Sequence, residues 1–337
     1  MPTENEIAER HGMSRQTVRQ TFGELEQEGL IYRVQGRGTF VSVPARADDV
    51  KQDVQTIGVI TTYISDYIFP HIVRGAEAAL RSRGYRMVLS STDNDKEKER
   101  DSLVMMMSQP LSGLIIEPTR SAQGNPNLGL YLTLANKRIP YVMMNARYAE
   151  LDCPVLMVDD EVGAYQATEH LISLGHRKVA GFFKMDDMQG VNRLKGFIRA
   201  HHANEVALLP ERVIHYYTET KEKVPYEAAT ALLQTGTERP TAFVCYNDEL
   251  AVRLLEAIRR SGLQVPEHIS LVGFDDSKLA TATEVKLTTL THPKAEMGTL
   301  AANWLIDIIE GKPQTTTQVT FAPQLIARNS VRAVEDQ

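Results

Sequence analysis

Residues 56–91 read TIGVITTYISDYIFPHIVRGAEAALRSRGYRMVLSS. TIGVI is a short apolar run rich in β-branched residues, PHIVRGAEAALRSRG is an amphipathic stretch of helical length, and YRMVLSS is apolar again, so the order is strand, helix, strand. The same rhythm runs outward from there. It passes through the 93–108 segment, GLIIEP (113–118), PYVMMN (140–145), VLMVDD (155–160), a helix at 161–175, KVAGFF (178–183), a helix at 189–202, VIHYY (213–217), a helix at 225–234, TAFVCYN (241–247), a helix at 248–262 and ISLVGFDD (269–276). Such alternation predicts an α/β chain with parallel sheet covered by helices on both faces. About ten strands exceed one small sheet, which points to two similar doubly wound lobes of roughly 100 to 150 residues each. Glu117, Asn145, Asn247 and Asp275 stand at the carboxyl ends of their strands. Ligands of open α/β sheets bind at that edge, and a cleft between the lobes would bring these four together. No repeat with a solenoid period is visible.

At 337 residues, 42% hydrophobic and 24% charged, the chain is long enough for more than one domain. Its net charge of -6 excludes bulk electrostatic coating of nucleic acid, so any DNA contact has to be local. Residues 1–20 are polar and no apolar run reaches about 18 residues, so neither a membrane span nor a secretory signal is expected, and the expected location is cytoplasmic. The two cysteines, Cys153 and Cys245, lack CxxC spacing and read as core residues. There is no GxSxG, GxxxxGK[ST] or HExxH motif, nor GxGxxG after the first strand, so no catalytic residue, no cofactor and no enzyme activity are expected. The acidic pairs at 159–160, 186–187 and 275–276 are better explained as helix caps than as metal ligands.

Upstream, 42–55 is a polar segment with Pro44 and no apolar periodicity, read as a linker. The 1–41 segment before it is a separate head. Thr3 and Glu6 have the spacing of a capping box for a short helix at 5–10, which His11-Gly12-Met13 ends. Ser14 is an N-cap residue for a second helix with Val18, Phe22 and Leu25 as its buried stripe. LIYRVQGRGTFV (30–41) alternates around Gly36-Arg37-Gly38 and reads as a hairpin. The second helix presents Arg15, Gln16, Arg19 and Gln20, residue types that reach phosphates and base edges in a major groove. The head's arginines cluster in 10–22 and 29–47, stretches without acids, while its six glutamates lie elsewhere. Helix spacing alone leaves open a small helical module with ordinary solvated arginines.

The stretch PTENEIAERHGMSRQTVRQTFGELEQEGLIYRVQGRGTFV resembles the winged helix-turn-helix head of GntR-type bacterial repressors over about forty residues. The resemblance implies that Ser14, Arg15, Gln16 and Arg19 touch operator DNA, that Asn5 lies near the backbone or a base edge, and that Gln35, Gly36 and the tip residue Arg37 place the wing in the minor groove. In that family another helix precedes the Pro-Thr-Glu motif, so the expectation here is a head without its first helix.

RLKGF (193–197), YND (246–248), GFDD (273–276) and HLISLGHRKVAGF (170–182) resemble, in their order and spacing, the sugar-binding core of the LacI/GalR family, related in fold to periplasmic binding proteins, across 56–332 of the 56–337 core. With TTYISDYIFP (61–70), IIEPTRS (115–121), CYNDE (245–249) and EVKLTTLTHPK (284–294), the chain is similar to the arabinose-responsive members of Bacillus-like bacteria. The resemblance implies a repressor that L-arabinose releases, a homodimer with contacts on the 70–82 helix, two operator half-sites and no membrane partner. It also implies crossovers between the lobes near Val158, Leu290 and Phe321.

A small, densely hydroxylated ligand needs planar bidentate partners and an apolar face. Arg193, Asp275, Asn247 and Asn145 are such partners, Tyr67 and Phe69 offer faces, and Asp66 comes from the same loop. Glu117 and His292 lie at neighbouring strand and crossover ends, and Tyr217 is a further candidate wall. A carboxylate-rich cleft favours a sugar over a phosphate ester. Against these stand plain structural readings: Asp275 or Asn247 as helix caps, Arg193 paired to a structural carboxylate, Glu117 and His292 as turn residues. Two functional alternatives stay open, a repressor answering another sugar and a cytoplasmic sugar-binding protein without DNA function.

Overall fold

The computed structural model describes residues 2–28, 30–34, 38–41 and 55–334, and the chain divides into two compact units, Met1–Val54 and Gln55–Gln337. The first unit holds α1 (Glu4–His11), α2 (Arg15–Gln27) and an antiparallel hairpin of β1 (Ile31–Val34) and β2 (Gly38–Val41). Thr3 caps α1 and forms the capping box with Glu6, whose carboxylate accepts the Thr3 N–H at 2.7 Å. Gly12 then ends the helix at φ 62, a left-handed conformation that costs a glycine nothing. Ser14 caps α2 by accepting the Thr17 N–H at 3.1 Å. Ala8, Val18, Phe22 and Ile31 make the buried core of this unit, with Ile7 and Leu25 packed against it. The wing-tip positions Gln35, Gly36 and Arg37 and the linker 42–54 lie outside the described residues.

In the second unit a first lobe is laid down by β3 (Thr56–Thr61), α3 (Phe69–Ser82), β4 (Arg86–Ser91), α4 (Lys96–Met107), β5 (Gly113–Ile116), α5 (Leu128–Asn136), β6 (Tyr141–Met144) and β7 (Val155–Val158). The chain then crosses into a second lobe of α6 (Asp160–Ser173), β8 (Val179–Lys184), α7 (Met188–Ala203), β9 (Val213–Tyr216), α8 (Val224–Leu233), β10 (Ala242–Cys245), α9 (Asp248–Arg260), β11 (Ser270–Val272) and α10 (Leu279–Ala282). After β12 (Thr289–Leu290) it returns through α11 (Lys294–Ile309) and β13 (Gln318–Phe321) to the first lobe, and β14 (Leu325–Ile326) pairs antiparallel with β12.

The first sheet runs β13-β7-β6-β5-β3-β4 and the second β11-β10-β8-β9, with every pair in both parallel. Each sheet reverses its strand order once, between β3 and β5 in the first and between β8 and β10 in the second. These are the switch points at which doubly wound sheets open a crevice beyond their carboxyl ends. The two sheets hold six and four strands, less alike than the strand rhythm suggests, because β13 and α11 add late sequence to the early lobe.

Gly196, in the RLKGF motif, sits where α7 crosses α6. A Cβ there would overlap the Glu161 carbonyl oxygen, so only glycine allows the close approach that buries the next turn of α7. Both cysteines are buried and free.

Candidate functional site

The two switch points face each other across a cavity of about 160 Å³, the scale that encloses one six-membered ring. The first lobe contributes Glu117 beyond β5, Asn145 beyond β6, Asp66 and Tyr67 from the β3–α3 loop, and Phe69 at the start of α3. The second contributes Arg193 from α7, Asn247 beyond β10 and Asp275 beyond β11, and His292 stands on the crossover that leads into α11. Nine of the ten positions singled out in the sequence therefore line one cavity. Tyr217 does not. It follows β9 with 46% exposure, whereas its neighbour Tyr216, the last residue of the strand, is buried and lines the cavity. Strand alternation sends consecutive side chains to opposite faces.

The first-lobe wall is a chain of hydrogen bonds. Glu117 Oε2 accepts from the Thr62 N–H at 2.9 Å and the Thr62 hydroxyl at 2.6 Å, and Oε1 accepts from Asn145 Nδ2 at 2.7 Å. Asn145 Oδ1 lies 3.2 Å from His292 Nε2. Burial pushes the Glu117 carboxyl up, opposed by these donors and by Lys184. Burial drives His292 down to about 4, with Lys294 and Arg193 adding to the effect and Asp275 opposing it.

The second-lobe wall is built of ion pairs. Arg193 Nε donates to Asp160 at 2.8 Å, Nη2 to Asp275 at 3.3 Å and Nη1 to the Tyr246 carbonyl at 2.5 Å. Its guanidinium lies 3.7 Å from the Phe274 ring centroid. Beside it Lys184 meets Asp187 at 2.9 Å and Asp186 at 3.2 Å, and the Tyr246 hydroxyl donates to Asp187 at 2.9 Å. Arg193 and Lys184 are thus already neutralised by carboxylates, as is Arg253 by Glu222 at 2.8 Å, and of the four cations lining the cavity Lys221 alone has no ion-pair partner among the described residues, which leaves little of the excess positive field an anionic ligand would need.

Of the structural readings weighed for these residues, those for Asn247 and Arg193 are compatible with lining the cavity, whereas Asp275 caps no helix and pairs instead with Arg193. Asn247 Oδ1 caps α9 by accepting the Leu250 N–H at 2.9 Å, and Arg193 is held by structural carboxylates. Among the acidic pairs, Asp159 caps α6 and Asp187 caps α7. The sequence reading passed over Lys184, Asp160 as a partner of Arg193, and Tyr246. Lys184 ends β8 at the carboxyl edge of the second sheet, as Glu117 follows β5 at that of the first, so its signal was the one used elsewhere.

The lobes also touch around the cavity. The Tyr67 hydroxyl donates to the Phe274 carbonyl at 2.9 Å and accepts the Asp248 N–H at 3.1 Å. Asn94 donates to Thr218 at 2.6 Å, and Arg120 pairs with Glu219.

In the head, Asn5, Ser14, Arg15, Gln16 and Arg19 are all exposed. Ser14 is engaged in capping α2. Arg19 is 73% exposed but reaches Glu4 at 3.3 Å, and Arg33 meets Glu4 and Glu26, both at 3.4 Å. Folding thus returns acids to the basic stretches that the sequence kept apart. Among the described residues Arg10 and Arg15 have no ion-pair partner.

The family of bacterial regulatory proteins of the gntR type matches residues 1–41, and the periplasmic binding protein-like domain matches residues 168–331. The arabinose metabolism transcriptional repressor of Geobacillus stearothermophilus is 59% identical over 336 residues, spanning 99% of this chain and 92% of that protein. Its counterpart in Halalkalibacterium halodurans is 45% identical over 345 residues, spanning 99% and 91%. The chain belongs to this family of arabinose metabolism transcriptional repressors. The family is non-enzymatic. Among solved structures, the transcription regulator CcpA of Lactococcus lactis superposes on this repressor with a TM-score of 0.73 at 26% identity, covering 83% of this chain and 100% of that one. In this repressor no helix among the described residues is long and apolar enough to cross a membrane.

Proposed function

We propose that the repressor is a cytoplasmic homodimer that holds two operator half-sites and is released when L-arabinose enters the interlobe cavity. The observation that carries this reading is the cavity itself. It is one monosaccharide ring in scale, walled by both lobes, and carboxylates outnumber cations among its polar groups, which is no cationic cradle. Arg193, Asp275, Asn247 and Asn145 would take vicinal hydroxyls, with Tyr67 and Phe69 against the C–H face, Asp66 at the rim, and Glu117 and His292 along the first-lobe wall. Arabinose in the names of relatives at 59% and 45% identity supports the choice of sugar. The ligand can act only through different affinities for two states. Closure about the crossovers after Val158, Leu290 and Phe321 would change how paired cores hold the linker, and a hundredfold release corresponds to about 2.7 kcal/mol of coupling. The family likeness supports dimer contacts on α3 and symmetric docking of two heads.

Isothermal titration of the full chain with L-arabinose, and with D-xylose, D-ribose and D-galactose as controls, tests the effector. Heat from L-arabinose alone is expected. Heat from another sugar keeps the cavity and replaces the effector. Gel shifts test the head: Arg15→Ala should lose operator affinity while calorimetry still reports sugar binding, and normal operator binding by this variant at physiological salt would remove α2 from the groove. A chain that binds sugar but no DNA fragment at all would be a sugar-binding protein without DNA function.

A further inference from the structure

The carboxylate of Glu117 can only accept, so it fixes the Asn145 amide with Nδ2 toward Glu117 and Oδ1 toward His292. Asn145 Oδ1 in turn can only accept, which requires the proton on His292 Nε2. The imidazole is neutral, since burial and two cations hold its pKa near 4. Its Nδ1 is then a bare lone pair. That atom is buried and has no hydrogen-bond partner among the described residues, on a ring that lines the cavity. A buried acceptor left unpaired carries a free-energy cost that a donor from a bound molecule would remove.

We infer that Thr62, Glu117 and Asn145 form a polarity relay that makes His292 Nδ1 an obligate acceptor, and that His292 is a specificity-determining residue which takes one O–H of the bound sugar. This rests on the sugar-binding reading of the cavity and adds a selection rule to it. A ligand must place a hydroxyl proton at this position, and one with an ether oxygen or a hydrogen there leaves the lone pair unpaired. Such a site rejects the analogue lacking the donor more strongly than an apolar pocket rejects an added group.

The test is titration of the full chain with L-arabinose, beside His292→Gln and His292→Leu. Gln can donate to Asn145 through Nε2 and accept through Oε1, so it keeps the polarity of the relay, whereas Leu removes both functions. Affinity in the Gln variant should stay within about threefold of the parent, and the Leu variant should lose about tenfold or more. The ¹⁵N spectrum of the parent protein supplies a readout that side-chain packing does not move and that does not depend on the variants folding. The His292 Nδ1 signal should start at the unprotonated position and shift toward the protonated one when L-arabinose is added. An Nδ1 that carries the proton before ligand is added, or an unmoved signal at saturation, overturns the inference and leaves the sugar site standing, as does equal affinity in the Leu variant. Absence of heat from every sugar in the parent protein overturns both.

Discussion

The two walls of the cavity reach polarity by different means. The first-lobe wall is a relay of single hydrogen bonds, Thr62 to Glu117 to Asn145 to His292, in which each group's direction is dictated by the one before it. The second-lobe wall stores full charges in cancelling pairs, Arg193 between Asp160 and Asp275, and Lys184 against Asp186 and Asp187. Charges so paired hold each other rigidly when dry, but they tolerate no loss of a member, because removing one partner strands the other in a low-dielectric setting. A relay of single hydrogen bonds through one carboxylate tolerates loss better and encodes direction instead. The second-lobe wall is thus locked by charge, and the first-lobe wall by the direction of its hydrogen bonds.

The largest expected effect tests that rigidity. Arg193→Ala strands Asp160 and Asp275, and a melt of the core should show a loss of about 3–5 kcal/mol together with loss of sugar binding in calorimetry. A variant that melts like the parent would mean the pair is not load-sharing and the contrast between the walls is false. Gly196→Ala comes next, forcing a side chain into the Glu161 carbonyl. About 1–3 kcal/mol of stability and a weaker grip on sugar should follow from α7 moving off α6, measured by the same melt and titration. Glu117→Gln probes the first wall. Its amide can donate where the carboxylate could only accept, so Asn145 can turn over and His292 can change tautomer. The expected cost in sugar affinity is about tenfold with little change in melting, and a melt change as large as that of Arg193→Ala would make the first wall as charge-dependent as the second.

A separate effect is in pH, spread over several units. Asp248, beside the second wall, accepts from the Thr289 hydroxyl at 2.6 Å and the Ser277 N–H at 2.7 Å, yet burial raises its pKa to about 7. A carboxyl raised by folding binds its proton in the native state between about pH 4 and 7, so the stability it contributes is complete below that window and is lost as pH rises through it. The slope from this group cannot exceed about 1.4 kcal/mol per pH unit. Denaturant midpoints from pH 5 to 8 should fall less steeply in Asp248→Asn, and parallel curves would remove Asp248 from the titration.

Much of the site was legible because it depends on strand ends. Glu117, Asn145, Asn247 and Asp275 follow apolar runs, and parallel topology brings such ends to one edge whatever lies between. Tyr217 was misplaced because VIHYY does not mark where the strand stops, and one residue of register exchanges inside for outside. Two helices escaped the strand-helix rhythm. In α5 only Tyr131 and Leu134 are buried while Leu132 is exposed, which blurs the stripe. In α11 Met297, Ala301, Ala302 and Leu305 do form a stripe, but it follows a crossover, beyond the regular alternation. The strand β13 carries a half-exposed pattern at a sheet edge and gives little apolar signal. The pairing of Arg193 with Asp160 was invisible because nothing in the residue spacing reports how closely Gly196 lets two helices cross.

The returning chain has a consequence for synthesis. Residues 160–290 form an insertion inside the first lobe, whose outer strand β13 pairs with β7 and whose helix α11 covers α3, β5 and β6. On the ribosome, most of the second lobe emerges before the first lobe can close, and its last contacts, Ser330 on Leu271 and Val334 on Leu174, come after both. Until residues 294–321 leave the exit tunnel, β7 is an open parallel edge and the apolar faces of α3, β5 and β6 lack their cover, the kind of surface on which nascent chains aggregate or recruit chaperones.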